Sequence, residues 1–201
     1  MMNTESTQNL AIIEITESEA RLAVSRIIAE DLYRMQCLAA LNVLNLPQGY
    51  LAAGFLRNAI WDDIHGYGKA TPLNDIDVIY FNPSDTSKQA DKNIEQMLAA
   101  KVPSACWQVK NQARMHLHHG HKAYKDCEDA ISYWIEKETC VAIRCSAHGN
   151  EFDILAPYGL VNNFVGTISI NPRYPRAEVF TQRVVSKGWM DTWPKLILGA
   201  V

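Results

Sequence analysis

The chain has few cysteines and no excess of positive charge. Its five cysteines are odd in number and scattered, and they form no Cys-x-x-Cys pair. They are therefore typical of buried, reduced thiols in a cytosolic protein rather than of a disulfide framework. With 19 basic and 22 acidic residues, the formal charge is −3, so we expect no extended nucleic-acid-binding surface.

Long apolar runs and internal repeats are also missing. No apolar run approaches the roughly 18 residues of a membrane span, and the first five residues lack the basic and apolar regions of an export signal. We therefore expect a cytoplasmic protein that does not bind membranes. Because 48% of the 201 residues are hydrophobic, the chain can bury one core. We predict a frayed N-terminus over residues 1–15 and a single domain over residues 16–201.

The order of predicted elements favours a mixed α/β (α+β) fold. Thr16 and Glu19 match a capping box, and we expect the helical region that follows to be broken into two helices near Glu30-Asp31. Further helices are predicted at 55–64, 85–99, 111–117, 180–185 and 189–196. Strands are predicted at 51–53, 76–81, 107–109, 139–144 and 151–155, and the last two form a hairpin around Gly149-Asn150. The sequence predicts a small mixed sheet flanked by helices.

Two acids, Asp75 and Asp77, lie at the head of an apolar, β-branched run. The run predicts a strand, whose alternation turns both carboxylates to one face and Ile76 and Val78 to the other. Two like charges held this close repel each other, and a divalent cation between them relieves the repulsion. Hard oxygen ligands of this kind suit Mg²⁺. The alternative interpretation is a solvated edge strand with two exposed acids.

Two further features fit phosphoryl or nucleotidyl transfer. Gly54 joins a predicted strand to a predicted helix, and Arg57 and Asn58 lie in the first turn of that helix. Backbone N–H groups, a helix dipole and a cation at one turn bind phosphate oxygens. Asp153, between two apolar residues of a hairpin strand, is the natural third acid of a two-metal site, and Glu151 on the same strand face is the alternative.

These segments resemble a known superfamily. Gly54-Phe55, residues 75–78 and residues 152–154 are similar to the glycine, paired-acid and third-acid motifs of DNA polymerase β-like nucleotidyltransferases. Residues 57–62, 74–81, 107–116 and 156–160 more closely resemble the bacterial nucleotidyltransferase-like family DUF925, over about residues 22–196 of the chain. The chain departs from the superfamily at Phe55, where Gly or Ser is usual, and from the closer family at Asn162-Asn163, where Asp is frequent.

The resemblance implies a Mg²⁺- or Mn²⁺-dependent enzyme that moves a nucleoside monophosphate from an NTP to a hydroxyl of an unknown acceptor, either a small molecule or a macromolecule. It implies a metal on Asp75, Asp77 and Asp153. The predicted nucleotide-binding residues are Gly54, Phe55, Arg57, Asn58, Lys110, Asn111 and Arg114. For the last three, an ordinary polar helix face is the alternative. The departures at Phe55 and Asn162-Asn163 allow a second hypothesis, a catalytically inactive nucleotide- or ligand-binding module of the same fold.

Histidines and tryptophans provide two competing signals. Four histidines lie between residues 116 and 121, with Cys127 nearby, which suggests a zinc-organised interaction protein as a third hypothesis. The tract lacks the paired cysteines of structural zinc sites, so we predict no structural zinc. Of the five tryptophans we expect most in the core, with Trp107 as the exception that stacks on a base.

Overall fold

The computed structural model describes residues 15–146 and 151–199. The helices are α1 (Glu17–Glu30), α2 (Leu32–Val43), α3 (Gly54–His65), α4 (Lys88–Lys101), α5 (Gln112–His119), α6 (Cys127–Ile131), α7 (Val161–Val165), α8 (Ala177–Lys187) and α9 (Trp189–Thr192), with a 3₁₀ turn at Lys137–Thr139. The strands are β1 (Tyr50–Ala52), β2 (Ile76–Tyr80), β3 (Trp107–Asn111), β4 (Ala142–Cys145), β5 (Phe152–Leu155), β6 (Thr167–Ile168) and β7 (Ile197–Leu198). Within these ranges, no helix is both long enough and apolar enough to cross a bilayer.

Five of the strands form one mixed sheet in the order β3-β2-β1-β4-β5. β2 and β3 run parallel and are joined by α4, whereas the other three neighbouring pairs are antiparallel. The predicted mixed sheet flanked by helices is therefore confirmed. The β4–β5 hairpin is also present, although the predicted turn at Gly149-Asn150 lies outside the described residues.

The two faces of the sheet have different coverings. Leu51, Val78 and Val109 on one face are fully buried in a core that includes side chains of α1, α2, α3 and α4. On the other face, Ala52 and Ile79 pack in a smaller cluster with side chains of α6. Since α6 has only five residues, it covers part of this face and leaves room for a cavity beside β2.

Local side-chain caps set the boundaries of the first two helices. The Thr16 Oγ1 accepts from the Glu19 N–H at 3.3 Å, and the Glu19 Oε2 accepts from the Thr16 N–H at 2.8 Å. Asp31 ends α1 and caps α2, where its Oδ1 accepts from the Arg34 N–H at 2.9 Å. Both the capping box and the break near Glu30-Asp31 are therefore confirmed.

The C-terminal region differs from the prediction of helices alone. The helix predicted at 189–196 ends at Thr192, and β7 then pairs in parallel with β6 as a separate two-stranded sheet. Trp61 of α3 lies 5.7 Å from Trp189 and 5.2 Å from Trp193 between ring centroids, in edge-to-face contacts. This second apolar cluster holds α8 and α9 against α3. It therefore brings the junction of α8 and α9 beside the β1–α3 turn.

The cysteines are all free thiols among the described residues. Cys37, Cys127 and Cys140 are buried, as expected, and Cys145 is partly buried. Cys106 is exposed, contrary to the expectation for this class, because it lies in the loop before β3 rather than in an element.

Candidate functional site

Asp75 and Asp77 lie at the start of β2 and line a cavity of about 680 Å³. The register of the sheet places Asp77 between Ala52 of β1 and Gln108 of β3. The Gln108 Nε2 donates to the Asp75 Oδ2 at 2.9 Å. Both acids therefore face the same side of the sheet, as the alternation of side chains along a strand requires.

The acid pair carries electrostatic repulsion. Burial and, second, the charge of Asp75 raise the pKa of Asp77 to about 6. Arg57, Lys187 and Arg183 act in the opposite direction, because each favours the ionised carboxylate. These cations offset the combined effect of burial and repulsion only in part, so the site favours a further positive charge beside Asp77.

The turn between β1 and α3 is strained. Ala53 has φ 53° and ψ −120°, a backbone conformation that residues with a Cβ rarely adopt. The tight turn predicted at Gly54 therefore lies one residue earlier. Gly54 itself lines the cavity, and a Cβ there would lie 3.5 Å from the Arg57 Nη2, an ordinary contact distance. The lack of a side chain at Gly54 leaves the cavity open at the N-terminus of α3.

Arg57 is a buried cation in the cavity wall. Its guanidinium lies 4.8 Å from the ring of Trp61 and 4.5 Å from the ring of Trp189. The Nη1 donates to the Thr139 Oγ1 at 2.7 Å, and the Nη2 donates to the Asn58 Oδ1 at 3.0 Å. The Nε has no hydrogen-bond partner among the described residues. Burial lowers the pKa of Arg57 to about 10, so the group stays charged at neutral pH.

Two more cations reach the cavity from α8. The Arg183 Nε lies 2.6 Å from the Glu136 Oε1 in an ion pair, and Lys187 lines the cavity one helical turn later. Lys110 of β3, one of the predicted nucleotide-binding residues, also lines the cavity. Sequence patterns do not distinguish Arg183 and Lys187 from solvated helix cations, because their place at the cavity depends on how α8 packs against α3.

Two predicted nucleotide-binding residues, Phe55 and Asn111, face away from the cavity. Phe55 is 1% exposed and packs into the main core. Asn111 is fully buried; its Oδ1 accepts from the Ala113 N–H at 3.0 Å, and its Nδ2 donates to the Asn82 carbonyl at 2.7 Å. Their predicted contact with nucleotide is therefore corrected, because Phe55 is a core side chain and Asn111 caps α5.

Arg114, the third of these residues, also belongs to the core side of the sheet. Its Nη2 forms an ion pair with Asp91 of α4, and the Tyr80 hydroxyl donates to the other oxygen of that carboxylate at 2.8 Å. The Nε and Nη1 of Arg114 are buried and have no partner among the described residues. Its predicted contact with nucleotide is corrected, because the guanidinium is directed to Asp91.

Asp153 does not converge with the other two acids. It lies on the same face of the sheet as Asp77, but β1 and β4 separate β2 from β5. The register places Leu155, two residues beyond Asp153, level with Asp77. Three strand spacings of about 4.8 Å put the two acids roughly 14 Å apart across the sheet. Glu151 comes two residues before Asp153, so it is displaced still farther from Asp77 along the strand direction.

The predicted three-acid metal site is therefore wrong. In residues 15–146 and 151–199, no three His, Cys, Asp or Glu side chains form a group that could hold a metal ion. The Asp153 Oδ2 instead accepts from the Tyr50 hydroxyl at 2.8 Å and from the Arg144 Nε at 2.9 Å. Local pairing satisfies this acid, and only Asp75 and Asp77 remain as acids of the predicted set that line the cavity.

Trp61, Trp189 and Trp193 are at most 4% exposed, so the prediction that most tryptophans lie in the core is confirmed, whereas the predicted exception is wrong. Trp107 is 8% exposed, and its Nε1 donates to the Val102 carbonyl at 3.3 Å, so it is a core residue and does not stack on a base. Trp134, Trp189 and Trp193 line the cavity instead. The periodicity around these tryptophans indicates only that they are buried, and their common location follows from the packing of distant segments.

Asn162 and Asn163, where the sequence departs from the closer family, lie in α7. Neither residue lines the cavity. The Asn163 Nδ2 donates to the Glu138 carbonyl at 2.9 Å, and its side chain is fully buried. The positions at which the sequence departs from its relatives, Phe55 and Asn162-Asn163, therefore contribute no side chain to the cavity wall.

The chain belongs to the nucleotidyltransferase family, whose model matches residues 39–198. The match extends from α2 to β7 and includes the acid pair, the β1–α3 turn and the cations of α8. The superfamily membership predicted from the glycine and paired-acid motifs is thereby confirmed.

Solved structures that are similar to this chain include the following two. One is a protein whose NMR structure reveals a CCA-adding enzyme head domain; it is 29% identical, with a TM-score of 0.77 over 94% of this chain and 99% of that one. The other is a CCA-adding enzyme in complex with CTP, at 11% identity and a TM-score of 0.58, over 88% of this chain and 43% of the enzyme. This second likeness concerns the fold alone. A search of curated proteins gives no match.

Proposed function

We propose that this chain transfers a nucleoside monophosphate from an NTP to a hydroxyl group of an acceptor, with Mg²⁺ or Mn²⁺ as the metal. The observation that carries the proposal is that Asp75, Asp77 and the buried cation Arg57 line one cavity in a member of the nucleotidyltransferase family. Phosphoryl-transfer chemistry consists mostly of positioning and charge stabilisation, so few other catalytic groups are needed.

The acid pair has the properties of a divalent cation site. Its donors are hard carboxylate oxygens, and burial, followed by the charge of Asp75, raises the pKa of Asp77, so a bound cation would favour the ionised carboxylate. Asp75 and Asp77 would hold the ion, which would neutralise charge on the phosphate oxygens when bound. The hydrogen bond from Gln108 to Asp75 restricts the orientation of that carboxylate.

We assign the triphosphate to the wall that contains the N-terminus of α3, Arg57 and Lys187. α3 has 12 residues, and the positive end of its dipole lies at Gly54 beside the acids. The rings of Trp61 and Trp189 fix the Arg57 guanidinium, so little conformational freedom is lost when it meets a phosphate. Lys187 is exposed and adds a mobile charge from α8.

Transfer of α-phosphate label tests this proposal. Each of the four α-labelled NTPs is incubated with Mg²⁺ or Mn²⁺ and a cell extract, and label on any acceptor is measured for wild type, Asp77→Asn and Asp153→Asn. We expect metal-dependent transfer by wild type and Asp153→Asn, and at least about a hundredfold loss in Asp77→Asn. The two substitutions make the same chemical change, so Asp153→Asn is the matched control. Absence of transfer by wild type in every condition contradicts the proposal.

A second candidate is a nucleotide-binding module without turnover. It is favoured by one observation: in the described part of the chain, no third carboxylate joins Asp75 and Asp77. NTP binding by wild type without NTP consumption or label transfer would replace the enzyme with this candidate.

A further inference from the structure

The cavity extends from the acid pair along one face of α5. Gln112, Met115 and His119 line it, at the spacing that places side chains on one face of a helix. α5 begins directly after β3, the strand beside β2. Its inner face therefore continues the cavity wall away from Asp77. At about 680 Å³, the whole cavity has the size of a small-molecule site rather than of a single ion site.

Aromatic side chains line the far part of this cavity. We call this part the aromatic end; its residues are His119, Tyr124, Tyr133, Trp134 and Tyr174. All but Trp134 belong to one cluster of rings that also contains His121. The centroid of the His121 ring lies 4.5 Å from that of Tyr133 and 4.8 Å from that of Tyr174. The histidine tract therefore contributes one ring, that of His119, to the cavity wall, and His121 packs against the other rings.

Charge at the aromatic end is largely compensated. Arg173 packs over the Tyr133 ring at 4.0 Å, and its Nη2 lies 3.0 Å from the Asp129 Oδ1 in an ion pair. Burial, followed by the nearby histidines, lowers the pKa of His119, and burial followed by Arg173 lowers that of His121. Both imidazoles are therefore neutral at pH 7. The aromatic end therefore suits a flat, uncharged ring. The opposite part of the cavity, which we call the acid end, contains Asp75, Asp77 and Arg57, the groups proposed for metal and phosphate.

We propose that the aromatic end binds the base of the NTP by ring-to-ring contacts. The inference rests on the proposed function, because the acid end places the triphosphate and thereby brings the base into the same cavity. Tyr174 and Trp134 are the principal partners, since both are partly exposed and line the cavity from different segments. Ring contacts of this kind use the π-face that every base has, so discrimination among the four bases is small.

Calorimetric titration with two probes, ATP and inorganic tripolyphosphate, each with Mg²⁺, tests the inference. In wild type, we expect ATP to bind at least about tenfold more tightly than tripolyphosphate, because only ATP has a base. Tyr174→Leu and Trp134→Leu are each expected to weaken ATP binding about tenfold and to leave tripolyphosphate binding unchanged. Tyr174→Phe is the matched control, because it keeps the ring and removes only the hydroxyl that accepts from the Arg176 Nη1.

The outcomes separate this inference from the proposed function. Unchanged ATP affinity in both leucine variants overturns the inference, and so does an equal loss for ATP and tripolyphosphate, which would place the effect away from the base. A thermal melt of each variant identifies any loss caused by unfolding. If ATP binding depends on the rings but wild type transfers no label, the inference stands and the enzymatic function fails. If wild type binds neither probe, both are contradicted.

Discussion

Arg144 and Asp153 face each other across the β4–β5 pair, with 2.6 Å between the Arg144 Nη2 and the Asp153 Oδ2. The Tyr50 hydroxyl donates to the same oxygen at 2.8 Å, and the Arg144 guanidinium lies 4.5 Å from the Tyr50 ring. The side-chain partners of Asp153 therefore lie in β1 and β4. This arrangement separates it from Asp77, although the two acids share a face of the sheet.

Because Asp153 lies away from Asp75 and Asp77, metal affinity should depend on Asp75 and Asp77 and not on Asp153. Titration with Mn²⁺ is expected to show a loss of at least about tenfold in Asp77→Asn and in Asp75→Asn, because each removes one of two charged ligands. Asp153→Asn, the same change outside the cavity, is expected to leave the Mn²⁺ affinity within about twofold. An equal loss in Asp153→Asn would restore the three-acid site.

The stability of the metal-free protein should rise in Asp77→Asn. Since the pKa of folded Asp77 is raised to about 6, the folded state holds this proton more tightly than the unfolded chain does. The ionised carboxylate therefore destabilises the fold at high pH, and this penalty diminishes as the pH falls from about 7 toward 4. The substitution removes the penalty, so we expect the free energy of unfolding to rise by about 1–3 kcal/mol at pH 7.5.

Urea denaturation in EDTA at pH 7.5 and at pH 4 measures this difference. The gain of Asp77→Asn over wild type should fall below about 1 kcal/mol at pH 4, where the folded carboxylate is protonated and the unfolded one, with a pKa of about 3.9, is about half protonated. A variant that is less stable than wild type at pH 7.5 would identify Asp77 as a structural residue.

Ala53→Gly should stabilise the fold. Glycine adopts the positive φ of this position without a Cβ clash, which releases about 1–3 kcal/mol of backbone strain. The greater freedom of glycine in the unfolded chain offsets about 0.4–1 kcal/mol of this gain. We expect a net increase of about 1 kcal/mol in the free energy of unfolding. Ala52→Gly is the control, because Ala52 lies in β1, where glycine weakens the strand. Equal destabilisation by both changes would mean that Ala53 stores no strain.

Asp91→Asn should destabilise the fold without affecting the site. The change leaves the buried guanidinium of Arg114 without its ionic partner, which costs about 3 kcal/mol. Asp63→Asn, which removes one of the two acidic partners of the more exposed Arg26, should cost less than about 1 kcal/mol. Chemical denaturation measures both costs, and titration with ATP should show unchanged affinity in folded Asp91→Asn. Loss of ATP affinity there would return Arg114 to the nucleotide site.

Local patterns predicted much of the fold. The capping box at Thr16, the cap at Asp31 and the run after Asp77 correctly indicate two helices and a strand. These signals are readable because a cap acts within one helical turn and strand alternation acts between adjacent residues. The same alternation places Asp75 and Asp77 on one face, so the acid pair follows from the sequence alone.

Strand order decided the rest of the acid site. β1 and β4 lie between β2 and β5, and this order separates Asp77 from Asp153. The alternation of residues around Asp153 fits a strand next to β2 and a strand far from β2 equally well. Alternation specifies which face of a sheet a side chain occupies, and not the position of its strand within the sheet.

The composition of the cavity also depended on tertiary packing. Lys187 and Trp189 reach the β1–α3 turn because the Trp61 cluster holds α8 and α9 there, and Tyr174 meets His121 only through the loop before α8. The sequence by itself determined the first two helices, the strand of the acid pair and the fact that these two acids share a face. Tertiary structure alone decided which cations and rings surround those acids, since burial of apolar surface is nondirectional and brings together segments with no common local pattern.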